Sequence, residues 1–259
     1  MDPESAHVDE GGASRPPSSS PSAGERARFD KFAETYVAVH QRNVAVTGEP
    51  PAYFAAYKLG CIDRLVGPAF DQPVLDYGCG VGMVTERLSS RFTEVHGYDP
   101  STASLVEAGQ RVPGAHFHAD LADIPDAHFG LIVMSCVLHH VDISERHSVM
   151  ACAIRKLLPG QGRLVVFEHN PLNPLTRHAV SQCPFDDDAR LLWPWEAASL
   201  LRRASLRDVR LRFIVFLPRA LSRLRWIEPH LGAVPLGAQV MVVGRAAELP
   251  ATPGGSGPG

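Results

Sequence analysis

Paired cysteines, long apolar runs and a surplus of basic residues are all missing from this 259-residue chain. No apolar stretch approaches the ~20 residues that a membrane-spanning helix needs, and the opening residues hold no apolar signal core. Membrane insertion and secretion are therefore not expected, and a cytoplasmic location is. Five cysteines, Cys61, Cys79, Cys136, Cys152 and Cys183, form an odd set without any C-x-x-C spacing. That pattern argues against a disulfide framework and against a zinc site, so no metal is expected. Lys and Arg number 25 against 28 Asp and Glu, a formal net charge of -3, so no basic field exists to hold a phosphate chain and nucleic acid is not an expected partner. No internal repeat is visible.

Length suits one sizeable α/β domain with tails. Residues 1–24 are rich in Ser, Pro, Gly and charge, without apolar periodicity, and read as a disordered tail, as does 250–259. Between them, 25–249 reads as a single domain. Its opening part, 25–70, shows Phe29, Phe32, Ala33, Tyr36 and Val37 at helical spacing. After the Gly48-Glu49-Pro50-Pro51 break, Tyr53, Phe54, Tyr57 and Leu59 to Leu65 repeat the pattern.

The densest signal is Val74-Leu75-Asp76-Tyr77-Gly78-Cys79-Gly80-Val81-Gly82, an apolar strand running through an acid into three alternate glycines. Glycines accept positive φ and bring bare amides against whatever lies above the strand end. A helix is expected from Gly82 through Leu88, its N-terminal amides facing the same spot. A dinucleotide fingerprint would need Gly where Met83 stands, and Asp76 would repel a pyrophosphate. An ammonium-bearing ligand suits that carboxylate better.

Further strands follow in order. Val95 to Asp99 ends in an acid 23 residues beyond Asp76, where a carboxylate can accept from both hydroxyls of a ribose. His116 to Leu121 is a third strand, with Asp120 placed for an amino group. Phe129 to Ser135 is nearly all apolar, as a central parallel strand covered on both faces should be. Leu157 to Phe167 gives a helix stop, a turn and a fifth strand. A helix over Trp193 to Leu206 and strands at Val209 to Leu217 and Gln239 to Val243, the last antiparallel, complete seven strands.

Leu75 to Gly82 resembles the first motif of class I S-adenosylmethionine-dependent methyltransferases, and the acid-ended strands continue the likeness. Phe29-Asp30 through Tyr36 resembles the opening of their quinone-methyltransferase-like, small-molecule branch. The resemblance implies a Rossmann-like, seven-stranded, mostly parallel sheet with helices on both faces and an N-terminal helical lid over 25–70. The cofactor-binding half is 71–170 and the substrate-facing half 171–249. It implies S-adenosylmethionine as cofactor. Asp76, Gly78, Gly80 and Gly82 would hold the methionyl part, Asp99 the ribose, and Asp120 with Leu121 the adenine; Ser135 would line the cofactor. Tyr36 could bond its carboxylate, unless that ring is core.

Methyl transfer is an in-line displacement that needs alignment and sometimes a base. Ser135-Cys136-Val137-Leu138-His139-His140 follows the fourth strand, and its Leu-His-His resembles small-molecule methyltransferases. His139 or His140 is the expected base, an imidazole near its ordinary pKa of ~6.5 being able to accept a proton at neutral pH. Glu168-His169 leaves a buried strand and forms a second functional cluster, unless Glu168 pairs with Arg177. Asn170 and Asn173 should shape the turn. Among Asp186, Asp187 and Asp188, one or two are expected to cap the following helix rather than hold magnesium. Arg219, Arg223 and Arg225 interleave with Leu221, Leu224 and Ile227 on an amphipathic helix, a solvated face or a site for an anionic or lipid-like ligand, with peripheral membrane contact possible. The expected acceptor is a small or amphipathic molecule, a specialised metabolite or an isoprenoid-linked compound. A cyclase or isomerase that binds the cofactor without net transfer is the alternative.

Overall fold

In the computed structural model, residue 30 and residues 35–248 are described, apart from 185 and 188. Both expected tails and most of the Phe29 to Ala33 segment lie outside the described residues. Two leading helices are present: α1, Tyr36–Val44, and α2, Pro51–Val66, which starts with Pro51 at its first position, where a missing N–H costs nothing. A short 3-10 turn, Ala45–Thr47, and Gly48 in the left-handed region join them.

The sheet has seven strands in the order β3-β2-β1-β4-β5-β7-β6. They are β1 (Val74–Tyr77), β2 (Val95–Tyr98), β3 (His116–His118), β4 (Leu131–Ser135), β5 (Arg163–His169), β6 (Arg207–Ile214) and β7 (Gln239–Arg245). The first five are parallel, and β7 runs against both β5 and β6, as expected. The connecting helices are α3 (Met83–Ser89), α4 (Thr102–Arg111), α5 (Arg146–Lys156), α6 (Pro174–Ser181) and α7 (Pro194–Arg203).

Strand alternation divides the core between the two faces. Leu75, Ile132, Met134, Leu164 and Val166 pack on one side, and Val74, Leu131, Val133, Val165 and Phe167 on the other. All are fully buried. Each such side chain contributes roughly 1.5–3 kcal/mol, which is why the centre of the sheet is rigid while its loops are free to carry chemistry. No helix among the described residues is long and apolar enough to cross a membrane.

Three expectations are corrected. The third strand stops at His118, because Asp120 turns to cap a 3-10 turn at Leu121–Asp123, its Oδ1 accepting from Ala122 N–H at 2.9 Å. The helix after the Asp run starts at Pro194 with Trp193 as its cap, so neither Asp186 nor Asp187 caps it; Asp188 lies outside the described residues. Arg219–His230 forms 3-10 turns broken at Leu221, not one amphipathic helix, and Arg225 is tied to Glu49 at 2.8 Å and lies over the Tyr53 ring.

Candidate active site

Parallel strands ending side by side open one cavity of about 470 Å³ at the carboxyl edge of the sheet, walled above by α1 and α2. The glycine loop leaves β1 and forms its floor. Gly78 has φ +78, and a Cβ there would lie 2.5 Å from Val137 Cγ2. Gly80 has φ +51, and the space where its Cβ would stand is empty within 4 Å, so a ligand can approach the backbone closely.

Two of the three strand-end acids meet here. Asp76 is fully buried; its Oδ2 accepts from the Thr85 hydroxyl at 2.7 Å, while Oδ1 has no hydrogen-bond partner among the described residues. Burial lifts its carboxyl from 3.8 to about 6, opposed by the Thr85 bond and the nearby Lys58. Asp99 accepts from Gly80 N–H at 2.8 Å and Ser101 N–H at 2.9 Å, and burial lifts it likewise to about 6. Each of its oxygens still has acceptor capacity. Asp120 does not join them: it is exposed and committed to its cap, and Leu121 is packed in the core, so neither lines the cavity. Tyr36 opens α1, but its side chain lies outside the described residues.

The opposite end of the cavity is built by the loop after β4. Leu138–His140 makes a 3-10 turn that buries His139 and directs it at the end of β5. Glu168 Oε2 is 2.6 Å from His139 Nδ1, and Glu168 Oε1 accepts from Leu138 N–H at 2.7 Å. Asp186 Oδ1 lies 3.4 Å from His139 Nε2 and 3.5 Å from His140 Nε2. Arg190 N–H donates to His139 O at 2.8 Å, and Arg146 holds Arg190 O at 2.6 Å and Glu196 at 3.0 Å, so the segment carrying Asp186 is fastened over the two imidazoles.

This geometry revises two assigned roles. Burial opposes charge on His139, but Glu168 and Asp186 override it and raise the imidazole from 6.5 to about 10. As an imidazolium at neutral pH, His139 does not serve as a base. Glu168, paired with His139 and not Arg177, is held below its ordinary range despite burial and has both oxygens engaged. It positions His139 rather than touching a ligand. Asn170 and Asn173 do shape the turn: Asn170 Nδ2 donates to Gly237 O, and Asn173 Oδ1 caps α6.

Several lining residues escaped the sequence reading. Lys58 on α2 donates to Ser135 Oγ at 2.6 Å and stands 4.0 Å from Cys136 Sγ. Its signal was available, a lysine at a position that the spacing of Phe54 and Ile62 assigns to the buried face. His40 on α1 also faces the cavity, held neutral by burial and by Lys58, its pKa lowered to about 4. Cys136 has a left-handed φ of +59; burial opposes its ionisation, but Lys58 and His169 bring the thiol down from 9.0 to about 7. A left-handed cysteine is legible only in coordinates.

Residues 74–160 match the family described as Methyltransferase domain. Trans-aconitate 2-methyltransferase of Methylobacterium nodulans is 35% identical over 146 residues, 52% of this chain and 53% of that protein. The chain thus spans about half the length of that relative. Ubiquinone biosynthesis O-methyltransferase of Idiomarina loihiensis is 27% identical across 62% of this chain and 72% of its own. Among solved structures, a Thermotoga maritima protein described as a SAM-dependent methyltransferase, possible histamine N-methyltransferase, superposes with a TM-score of 0.61 at 19% identity, covering 85% of this chain and all but 1% of that one, 99%. At that identity the likeness speaks for the fold alone. Residues 74–160 thus carry a methyltransferase domain, and the motif order and strand order around them agree with the resemblance to class I S-adenosylmethionine-dependent methyltransferases.

Proposed function

We propose that this chain binds S-adenosylmethionine in the cavity and transfers its methyl group to a small acceptor. The observation that carries the reading is the buried, unpartnered Oδ1 of Asp76 beside a glycine loop with room above Gly80. A buried carboxylate oxygen without a partner is costly and calls for a cationic donor. The amino group of the cofactor's methionyl part is such a donor. Asp99, already fixed by two backbone amides, presents its remaining lone pairs to the ribose hydroxyls. Gly80 lets the chain pass close beneath, and Ser135, held by Lys58, borders the same space.

Bound there, the cofactor supplies a methyl group on a positively charged sulfur. The protein's own contribution is alignment in a space walled by α1 and α2. The acceptor's polar group belongs at the end held by His139, His140 and Asp186. His140 is the imidazole assigned to take an acceptor proton, since His139 is already charged. Thr176, Val180, Phe216 and Leu217 give the rest of that end a mixed, mainly apolar lining. An amphipathic acceptor such as a specialised metabolite or an isoprenoid-linked compound suits it. The named relatives act on trans-aconitate and in ubiquinone biosynthesis, which supports a small-molecule acceptor. Exposed Leu221, Leu224 and Trp226 beside Arg219 and Arg223 would let the chain touch a membrane surface to collect such a molecule. Five free thiols suit a reducing cytoplasm.

Incubation with methyl-labelled cofactor and a metabolite extract tests the reading. Label should appear in one small molecule whose mass rises by one CH₂, with S-adenosylhomocysteine released. Bound cofactor with a product of unchanged mass would instead indicate an isomerase, and absence of cofactor binding in equilibrium dialysis would refute both.

A further inference from the structure

The three groups at the acceptor end make a pattern that a proton network alone does not explain. His139 Nε2 and His140 Nε2 both approach the same oxygen, Asp186 Oδ1, at 3.4 and 3.5 Å. Charge-assisted N–H···O bonds are shorter, about 2.7–2.9 Å. Ligand atoms at the corners of a tetrahedron around a zinc-sized cation, with bonds of about 2.0–2.1 Å, stand about 3.3–3.4 Å apart. The three donor atoms fall within 4.8 Å of one another, so one ion could reach all of them.

The surroundings agree with this geometry. Glu168 at His139 Nδ1 fixes that nitrogen as the N–H, so a cation that displaces the proton from Nε2 meets a lone pair aimed at Asp186, which is the carboxylate–imidazole arrangement that supports metal ligands. All three residues line the cavity. Two imidazoles and one carboxylate with open positions suit a divalent first-row transition ion. We propose that His139, His140 and Asp186 bind a divalent transition cation of the zinc class, whose open position takes an oxygen donor of the acceptor, a hydroxyl or a carboxylate.

With the cation in place, His140 is a ligand, and the ion would lower the pKa of a bound hydroxyl so that its proton passes to solvent water instead of to His140. The acceptor class follows: a molecule carrying an oxygen that can ligate beside the transferred methyl. This last point rests on the methyltransferase reading; the metal site itself does not. The second group of metal-binding residue types, Glu94, His96 and His128, lies away from the cavity, with Glu94 Oε1 at 3.2 and 3.1 Å from the two imidazoles. Those contacts are accounted for as hydrogen bonds, and the residues provide a control.

The test is titration of chelator-treated full chain with Co²⁺, followed by visible absorption, with Zn²⁺ as competitor. One equivalent should give ligand-field bands that Zn²⁺ abolishes. H140A and D186N, each checked by thermal melting, should weaken binding by at least the ~10–100-fold seen when a mere supporting group is removed. H128A should leave the spectrum unchanged. The proposal is overturned if wild type shows no such bands, if H140A and D186N bind as wild type does, or if the signal disappears in H128A. Calorimetry with S-adenosylmethionine in chelator reads the cofactor site separately, so failure of either idea is visible without the other.

Discussion

Replacing Asp76 by Asn should weaken the cofactor and, at alkaline pH, relieve the empty fold. Burial lifts this carboxyl from 3.8 to about 6. That gap of roughly 2 pH units corresponds to about 3 kcal/mol at full ionisation. Because the folded value lies above the unfolded one, the native state holds more protons between the two, and stability falls as pH rises through that window. About half the penalty is already present at pH 5, so linkage leaves about 1.4 kcal/mol to appear between pH 5 and 8. Asn does not titrate, and any fixed cost of burying its amide cancels when the two pH values are compared. For a chain of this size the difference in melting temperature between D76N and wild type should therefore shift in favour of the variant by about 3–6 °C from pH 5 to 8. Calorimetry with S-adenosylmethionine should meanwhile show affinity down at least ~30-fold, the lower end for removing one side of a buried charge pair. A melting difference that stays constant with pH would refute the assigned burial cost, and wild-type affinity in D76N would refute the ammonium role.

In the wild type, cofactor affinity should rise as pH increases through about 6, where Asp76 and Asp99 become fully ionised; isothermal titration from pH 5 to 7.5 checks this. G80A places a methyl group where the loop leaves space and forces φ +51 on a residue with a Cβ, costing about 1 kcal/mol of stability by urea unfolding while cofactor affinity falls much further. E168Q breaks a buried pair and should cost about 3–5 kcal/mol in the same assay, far more than a surface change. D30A removes the acceptor of Ser101 Oγ and Ala103 N–H at the start of α4, an expected loss of about 1 kcal/mol seen as a lower melting temperature.

The sheet was legible because its central strands are short apolar runs bounded by turn residues, and Asp76 and Asp99 were singled out because the ladder of strand ends that carries them resembles a known family. Asp120 misled because the edge strand β3 is only three residues long, so the chain turns before the acid reaches the cavity. The pairing of Glu168 with His139 spans 29 residues, and no spacing rule links them; only the adjacency of β4 and β5 does. Asp186 was hidden in a run of three aspartates that looks like a helix cap. Lys58 and His40 come from the leading helices, whose placement over the sheet is a tertiary matter that periodicity cannot supply.

One strand runs backwards, and this decides where specificity can vary. His169 at the end of β5 sits opposite Gln239 at the beginning of β7. The reversed strand therefore offers its first residue, not its last, to the pocket, and β6 delivers Val215 to Pro218 there as it leaves the sheet. The excursion between them, 219–237, is consequently anchored at both ends, Pro218 and Ala238, on the cavity wall. Lengthening or reshaping that excursion would remodel this wall while the glycine loop after β1 stayed as it is.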